Sequence, residues 1–228
     1  MYTGPNIVKN GLVLNLDPLN IKSYPGSGTN LINLVDTTTS MSLNNSPTFN
    51  DDSLEFNGSN QFMSSNLSGG DLGITDYLSI GLFANFTGGA TGGDLFGFPG
   101  YNPRWGYTIR TALSSGQYIA YWYYQDSLGA WQTSYNAAST NKFDPNIWNY
   151  ICLTNDNGSA TTYINGKQTY QKSLNASGWT PASNNLRFTI VGWAYFSGSL
   201  GNAHIYNRVL TPEEVQQNYN ALKARIKL

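Results

Sequence analysis

Residues 153–170 read "LTNDNGSATTYINGKQTY", and this stretch decides the fold class. Two Asn-Gly pairs, Asn157-Gly158 and Asn165-Gly166, sit between segments in which β-branched and aromatic residues alternate with polar ones. Asn and Gly accept the positive φ angles that tight hairpin turns require, so the stretch reads as a β meander.

Outward from this meander the same signature recurs. Examples are "GLVLNLD" (11–17), "LEFNGSNQF" (54–62), "YLSIGLFANF" (77–86), "GYTIRTAL" (106–113), "YIAYWYYQD" (118–126), "LRFTIVGW" (186–193) and "GNAHIYNR" (201–208). Their period is close to 2, and Gly, Pro, Asn and Asp clusters bound them. The chain is therefore expected to be all-β and antiparallel. "TGGATGGD" (87–94) is too short for an interdomain linker and reads as a loop over a sheet edge. At 228 residues, one domain is the starting expectation.

The end of the chain breaks the pattern. "RVLTPEEVQQNYNALKARIKL" (208–228) contains no Gly. Thr211 is placed as an N-cap, Pro212 at the first helical position and Glu214 three residues after the cap, which is a capping box. Val215, Tyr219, Leu222 and Ile226 follow as one apolar stripe, while Lys223, Arg225 and Lys227 suit the C-terminal end of the helix dipole. That stripe must dock on the sandwich of this chain or on a neighbour.

Composition narrows the function classes. Charged residues make up 11% of the chain and aromatics 14%, with 16 Tyr and 6 Trp, so the surface is mostly Asn, Ser, Thr, Gly and Tyr. A formal net charge of -1, with 12 scattered basic residues, argues against a nucleic-acid partner. "MYTGPNIVKNG" lacks the apolar run of a signal peptide, and no stretch has the length of a membrane span. The expectation is a protein made in a cytoplasm, with no membrane insertion. Cys152, the single cysteine, falls in an alternating strand and reads as a buried thiol; His204, the single histidine, falls in another.

Several segments together resemble a known family. "GLVLNLDPLNIKSYPGSGTNLINL" (11–34), "PTFNDDSLEFNGSNQFM" (47–63), "TYINGK" (162–167) and "GNAHIYNRVLTPEEVQQNYNALKAR" (201–225) are similar to the laminin-G-like branch of the concanavalin A-like lectin/glucanase superfamily. The particular opening and helix resemble domains of bacteriophage virion proteins. The resemblance implies an antiparallel jelly-roll sandwich with one C-terminal α-helix, its first strand (near 11–17) close to a late one (near 200–208). The chain then divides into an N-terminal arm (1–10), a jelly-roll domain (11–210) and a C-terminal helix (211–228). Arm and helix are expected to meet other subunits. The implied setting is a virion, on capsid or tail, with other virion proteins, further copies of the chain and cell-surface glycans as partners.

Three chemistries remain to be weighed. Retaining glucanases of this superfamily place two carboxylates at alternate positions of one strand, so that acid and nucleophile share a cleft. The three glutamates do not: Glu213 and Glu214 belong to the capping box, and Glu55 has no acidic residue two positions away. Asp51 and Asp52 are adjacent and would point to opposite faces. The expectation is therefore no enzyme. Calcium is implied by the resemblance at the sheet rim. Asp71, Asp76, Asp94, Asp126, Asp144 and Asp156 lie in or beside loops, none in a spaced ligand motif.

Glycan binding has the positive evidence, because sugars are held by aromatic faces and planar polar groups in shallow grooves. "GFPGYNPRWGY" (97–107) offers Tyr101 and Asn102 between two prolines, and Arg104 and Trp105 directly after the second. "SGQYIAYWYYQDSLGAWQTSY" (115–135) adds Trp122, Tyr124 and Trp131. Tyr118, Ala120, Trp122 and Tyr124 share one strand face, and Ile119, Tyr121 and Tyr123 the other. The face of Trp122 and Tyr124 is taken as the exposed one. The function expected is non-enzymatic adhesion by a virion protein, against a ligand-free decoration role or, less favoured, a polysaccharide hydrolase.

Overall fold

The computed structural model describes residues 6–50, 53–88, 93–98, 108–125, 130–136, 141–175, 185–188 and 195–226. Among them the first strands are β1 (Leu12–Leu16), β2 (Asn30–Ile32), β3 (Ser40–Asn44), β4 (Thr48–Asn50), β5 (Ser53–Asn57) and β6 (Phe62–Ser68). The next are β7 (Tyr77–Gly88), β8 (Gly93–Gly97), β9 (Thr108–Ser114), β10 (Gln117–Gln125), β11 (Trp131–Thr133) and β12 (Lys142–Phe143). The last are β13 (Trp148–Asp156), β14 (Ser159–Ile164), β15 (Lys167–Ser173), β16 (Asn185–Phe188) and β17 (Ser197–Tyr206), followed by helix α1 (Pro212–Lys223).

The strands form two antiparallel sheets. The eight-stranded sheet runs β15-β14-β13-β7-β17-β5-β4, with β1 also paired to β17. The nine-stranded sheet runs β11-β10-β9-β8-β16-β6-β3-β2, with β12 also paired to β10. The meander read from 153–170 is β13-β14-β15. Its turns carry the positive φ angles expected, 44° and 93° at Asn157 and Gly158, 52° and 80° at Asn165 and Gly166.

First and last strands do lie together, from Leu12 opposite Tyr206 to Leu16 opposite Ala203. On the other side of β1, the Asn33 side chain accepts from Asn15 N–H at 3.0 Å and donates to Val13 O at 3.3 Å, so this edge is closed without another strand.

Alternation packs one face of the central strands into the sandwich. Leu82, Ala84, Ile151, Leu153, Ala203 and Ile205 of the first sheet share one core with Met63, Phe96, Ile109, Trp122 and Phe188 of the second. The opposite face of the eight-stranded sheet is also apolar. Phe83, Tyr150, Cys152, Tyr163 and Tyr206 form a second cluster with Val8, Val215, Leu222 and Ile226, against which Tyr219 packs. The helix stripe therefore docks on its own sheet, and the capping box holds its start, with Thr211 Oγ1 accepting from Glu214 N–H at 3.3 Å.

Residues 6–10 lie along that helix. Val8 N–H donates to Asn218 Oδ1 at 2.8 Å, Gln217 Nε2 to Asn6 O at 2.8 Å, and Tyr206 Oη to Val8 O at 2.9 Å. Helix and described arm thus use their apolar face and these bonds within the chain. Arg208 ties the same region together through a two-pronged pair with Glu214, at 2.6 and 2.7 Å, and a bond from Nε to Asn10 O at 2.9 Å. No described helix is long and apolar enough to cross a membrane.

Past the helix, Arg225 Nη1 pairs with Asp17 Oδ2. Asp17 has a side chain only 2% exposed, and burial raises its pKa against the pull of Arg225. Replacing Arg225 by Ala leaves that carboxyl buried without its cation and should cost about 3 kcal/mol. The check is a urea titration at pH 7, where the midpoint falls without a change in slope.

Candidate functional site

The aromatic strand β10 supplies the candidate site, with its faces assigned opposite to the sequence expectation. Trp122 is 0% and Tyr124 2% exposed. Trp122 Nε1–H crosses the sandwich to donate to Thr154 O at 3.0 Å, and Tyr124 Oη donates to Asn175 O at 2.6 Å. Each ring keeps its polar atom satisfied while its apolar body fills the core, so these two residues are corrected from ligand contacts to core.

The face carrying Ile119, Tyr121 and Tyr123 therefore points away from the core. The Tyr123 ring is flanked by Trp131, with centroids 4.7 Å apart and planes at 18°, and by the Arg110 guanidinium, 3.7 Å from its centroid. Register explains the grouping, since Tyr123 pairs with Thr133 and Thr108, Trp131 pairs with Gln125, and Arg110 pairs with Tyr121. Tyr121 meets Tyr135 edge-on at 5.1 Å. Trp131 is 45% and Tyr135 38% exposed. The result is an aromatic and guanidinium platform on the side of the nine-stranded sheet that faces away from the core, exposed at Trp131 and Tyr135 while Ile119 and Tyr121 are buried.

Of the sequence candidates, Trp131 stands in this platform. Tyr101, Asn102, Arg104 and Trp105 lie outside the described residues; the chain is next described at Thr108, the register partner of Tyr123. Arg110, Tyr123 and Tyr135 were missed. The period of 2 places Arg110 and Tyr123 on alternating strands, but alternation between two equally bulky faces carries no sign of which is outward.

The reactive candidates are spent on architecture. His204 is fully buried; its Nδ1–H donates to Asn202 Oδ1 at 2.9 Å and Nε2 accepts from Tyr150 Oη at 2.8 Å. Asn202 Nδ2 passes the network to Asn15 Oδ1 at 3.1 Å. Burial pushes the His204 pKa down to about 3 and the Cys152 thiol up to about 12, so the first stays a neutral imidazole and the second a thiol at neutral pH. Gly81 makes the arrangement possible, because a Cβ there would collide with His204 Nε2 and lie 2.8 Å from Tyr150 Oη.

Glu55 accepts from Asn50 Nδ2 at 2.9 Å, and Glu214 is held by Arg208 and Thr211. For calcium the fit is poor among the described residues: no three Asp, Glu, His or Cys side chains gather. Asp76 Oδ1 is buried without a hydrogen-bond partner there, but a single carboxylate does not make the oxygen cage that Ca²⁺ takes.

With this geometry in place, likeness to known proteins is informative. A laminin-G family model described as "Concanavalin A-like lectin/glucanases superfamily" matches residues 57–216. No curated protein matches the chain. Among solved structures, the receptor binding domain of botulinum neurotoxin C/D mosaic serotype superposes with a TM-score of 0.68 at 14% identity, over 92% of this chain and 51% of that one. The binding domain of Paraclostridial Mosquitocidal Protein 1 gives 0.68 at 18%, over 92% and 52%. A mutant of Trypanosoma rangeli sialidase displaying trans-sialidase activity gives 0.66 at 13%, over 94% and 33%. The chain thus spans about half the length of the first two and a third of the third. At these identities the likeness shows the fold.

Two outcomes are expected from the geometry. Trp122→Ala should cost about 3–5 kcal/mol in chemical denaturation, whereas Trp131→Ala should cost about 1 kcal/mol. In addition, the His204 contribution is complete above its unfolded pKa of 6.5 and is lost as pH falls from there towards 3. Between pH 7 and 5, above the ordinary carboxylate range, stability should fall by about 2 kcal/mol. The denaturation midpoint of His204→Gln should be flat across that window.

Proposed function

The chain belongs to the concanavalin A-like lectin/glucanases superfamily, and from that membership we propose a non-enzymatic adhesion module that holds glycans on the outer face of its nine-stranded sheet. The observation that carries this reading is the stack of the exposed Trp131 on the half-buried Tyr123 and Arg110, on paired strands. Aromatic faces take the C–H surfaces of a pyranose, and a planar guanidinium takes its hydroxyls. Tyr101, Asn102, Arg104 and Trp105 are included in the proposal on the chemistry of their side chains alone, two rings, an amide and a guanidinium. Neighbours that are themselves named binding domains support recognition over catalysis. So does the employment of Glu214 in capping and ion pairing and the placement of Glu55 beside Asn50.

The setting proposed is a virion surface, on capsid or tail. It rests on the similarity of residues 11–34 and 201–225 to phage virion domains. Many copies on one particle would turn weak single-site binding into firm attachment. Immunogold labelling of purified particles tests the setting; label absent from the particles overturns it.

For the site itself, a glycan array probed with the chain clustered on a multivalent carrier should give defined positives. Trp131→Ala and Tyr123→Ala should each weaken the monovalent affinity about tenfold, the equivalent of one lost stacking contact. Binding that survives both changes, or no binding to any glycan, would leave a ligand-free decoration role.

A further inference from the structure

At the other end of the same sheet face lies a cleft of different chemistry. It has a volume of about 460 Å³, and its lining is mostly polar, with hydroxyl and amide groups from Thr38, Ser40, Ser42, Ser64 and Asn66 and a carboxylate from Asp71, beside the apolar Leu67. The pattern is set by register. Ser42 pairs with Ser64, and alternation turns Met41, Leu43 and Met63 into the core while Ser40, Ser42, Ser64 and Asn66 face outward. Two turns wall the cleft. In one, Asp36 accepts from Thr38 N–H and Oγ1 at 3.0 and 2.7 Å; in the other, Asp71 Oδ2 accepts from Ser68 N–H and Oγ at 2.8 and 2.7 Å. The walls are therefore fixed before any ligand arrives.

Its floor has hydrogen-bonding capacity to spare. Ser64 Oγ accepts from Asn44 Nδ2 at 3.0 Å and keeps its own proton to donate. The Ser40 hydroxyl and the Asn66 amide have no hydrogen-bond partner among the described residues, although both line the cleft. These groups both donate and accept, within a span of a few ångströms, and no aromatic ring stands among them. An anion would meet the Asp71 carboxylate, a cation would find only the Asp36 and Asp71 carboxylates, each already engaged in its own turn, and an apolar ligand would leave the hydroxyls unpaired. The ligand chemistry that matches all of these terms is a neutral polyol.

We propose that this cleft is a second saccharide-binding site, for a neutral sugar unit held by hydrogen bonds to Ser40, Ser42, Ser64 and Asn66. It is independent of the aromatic platform. From β6 to β10 the sheet order counts four strand steps, which places the two sites about 20 Å apart at the usual strand spacing. The volume lies within the range of small-molecule sites, and the lack of a stacking face makes the binding weak.

The test is an NMR titration of the full chain with maltose, cellobiose and N,N'-diacetylchitobiose at millimolar concentrations, with glycerol as a control. The expected result is saturable shifts at the backbone amides of 38–42 and 64–71 with at least one disaccharide. Asn66→Ala should weaken that saturation about fivefold, one neutral hydrogen bond's worth, and Trp131→Ala should leave it unchanged. Shifts confined to the neighbourhood of Trp131 and Tyr123 would overturn the cleft while leaving the platform in place. Shifts that never saturate, or that glycerol reproduces, would overturn it as well. The substituted side chain is exposed, and an unchanged spectrum elsewhere would confirm that the variant is folded.

Discussion

The eight-stranded sheet has to be kept dry on both faces. In β13, seven of nine residues are buried, so the usual alternation of wet and dry positions is missing there. Leu153 and Ile151 face the sandwich, while Tyr150 and Cys152 face the helix. Left uncovered, Phe83, Tyr150, Tyr163 and Tyr206 would form an apolar patch of the kind that drives association. The helix is the cover, and it has to be held against the sheet. The capping box, the pair of Arg208 with Glu214, the pair of Arg225 with Asp17 and the strap of residues 6–10 supply that hold. The polar atoms trapped beneath, on His204, Tyr150 and Asn202, satisfy one another in a chain that needs a neutral imidazole and a glycine opposite it.

This double covering leaves the outer side of the nine-stranded sheet as the less covered face, although Ile119 and Tyr121 of β10 are buried there as well. There the alternation is plain: β3 and β16 have buried and exposed or half-buried residues in turn. Their outward positions are Ser40, Ser42, Asn44, Asn185 and Arg187, and further across come Arg110 and Tyr123. A surface made of hydroxyls, amides and rings, with few charges, offers short-range contact chemistry. It offers little long-range attraction, which a net charge of -1 could not supply.

Much of this was legible in the sequence for identifiable reasons. Asn-Gly pairs specify their own turns locally, and a capping box with an apolar stripe at spacings of four, three and four specifies a helix and its buried side. Neither requires knowledge of the rest of the chain. The orientation of β10 was different. Tyr118, Trp122 and Tyr124 on one face and Tyr121 and Tyr123 on the other are equally bulky, so alternation alone gives no sign. The decision is made across the sandwich, where Thr154 O and Asn175 O accept the protons of Trp122 and Tyr124. The hydroxyl cleft was equally hidden, because residues 38–42 and 64–71 meet only through the pairing of β3 with β6, and serine carries almost no positional information of its own.

The separation of roles between the two sheets bears on how such a module can change its target. Trp131 belongs to a strand of three residues at the sheet edge, and the cleft residues are outward hydroxyls with no part in the core. Substitutions there remove little buried area, so the fold tolerates them. The opposite holds behind the helix, where Gly81, His204, Tyr150 and Asn202 form one unit and a change in any of them strands the others. A recognition surface laid over one face of a sandwich, with the demanding polar packing confined to the other, can therefore be rewritten for a new glycan without renegotiating the stability of the domain. Weak contacts of that kind gain strength from repetition more readily than from any single added bond, because each new copy adds an attachment without asking the core to move.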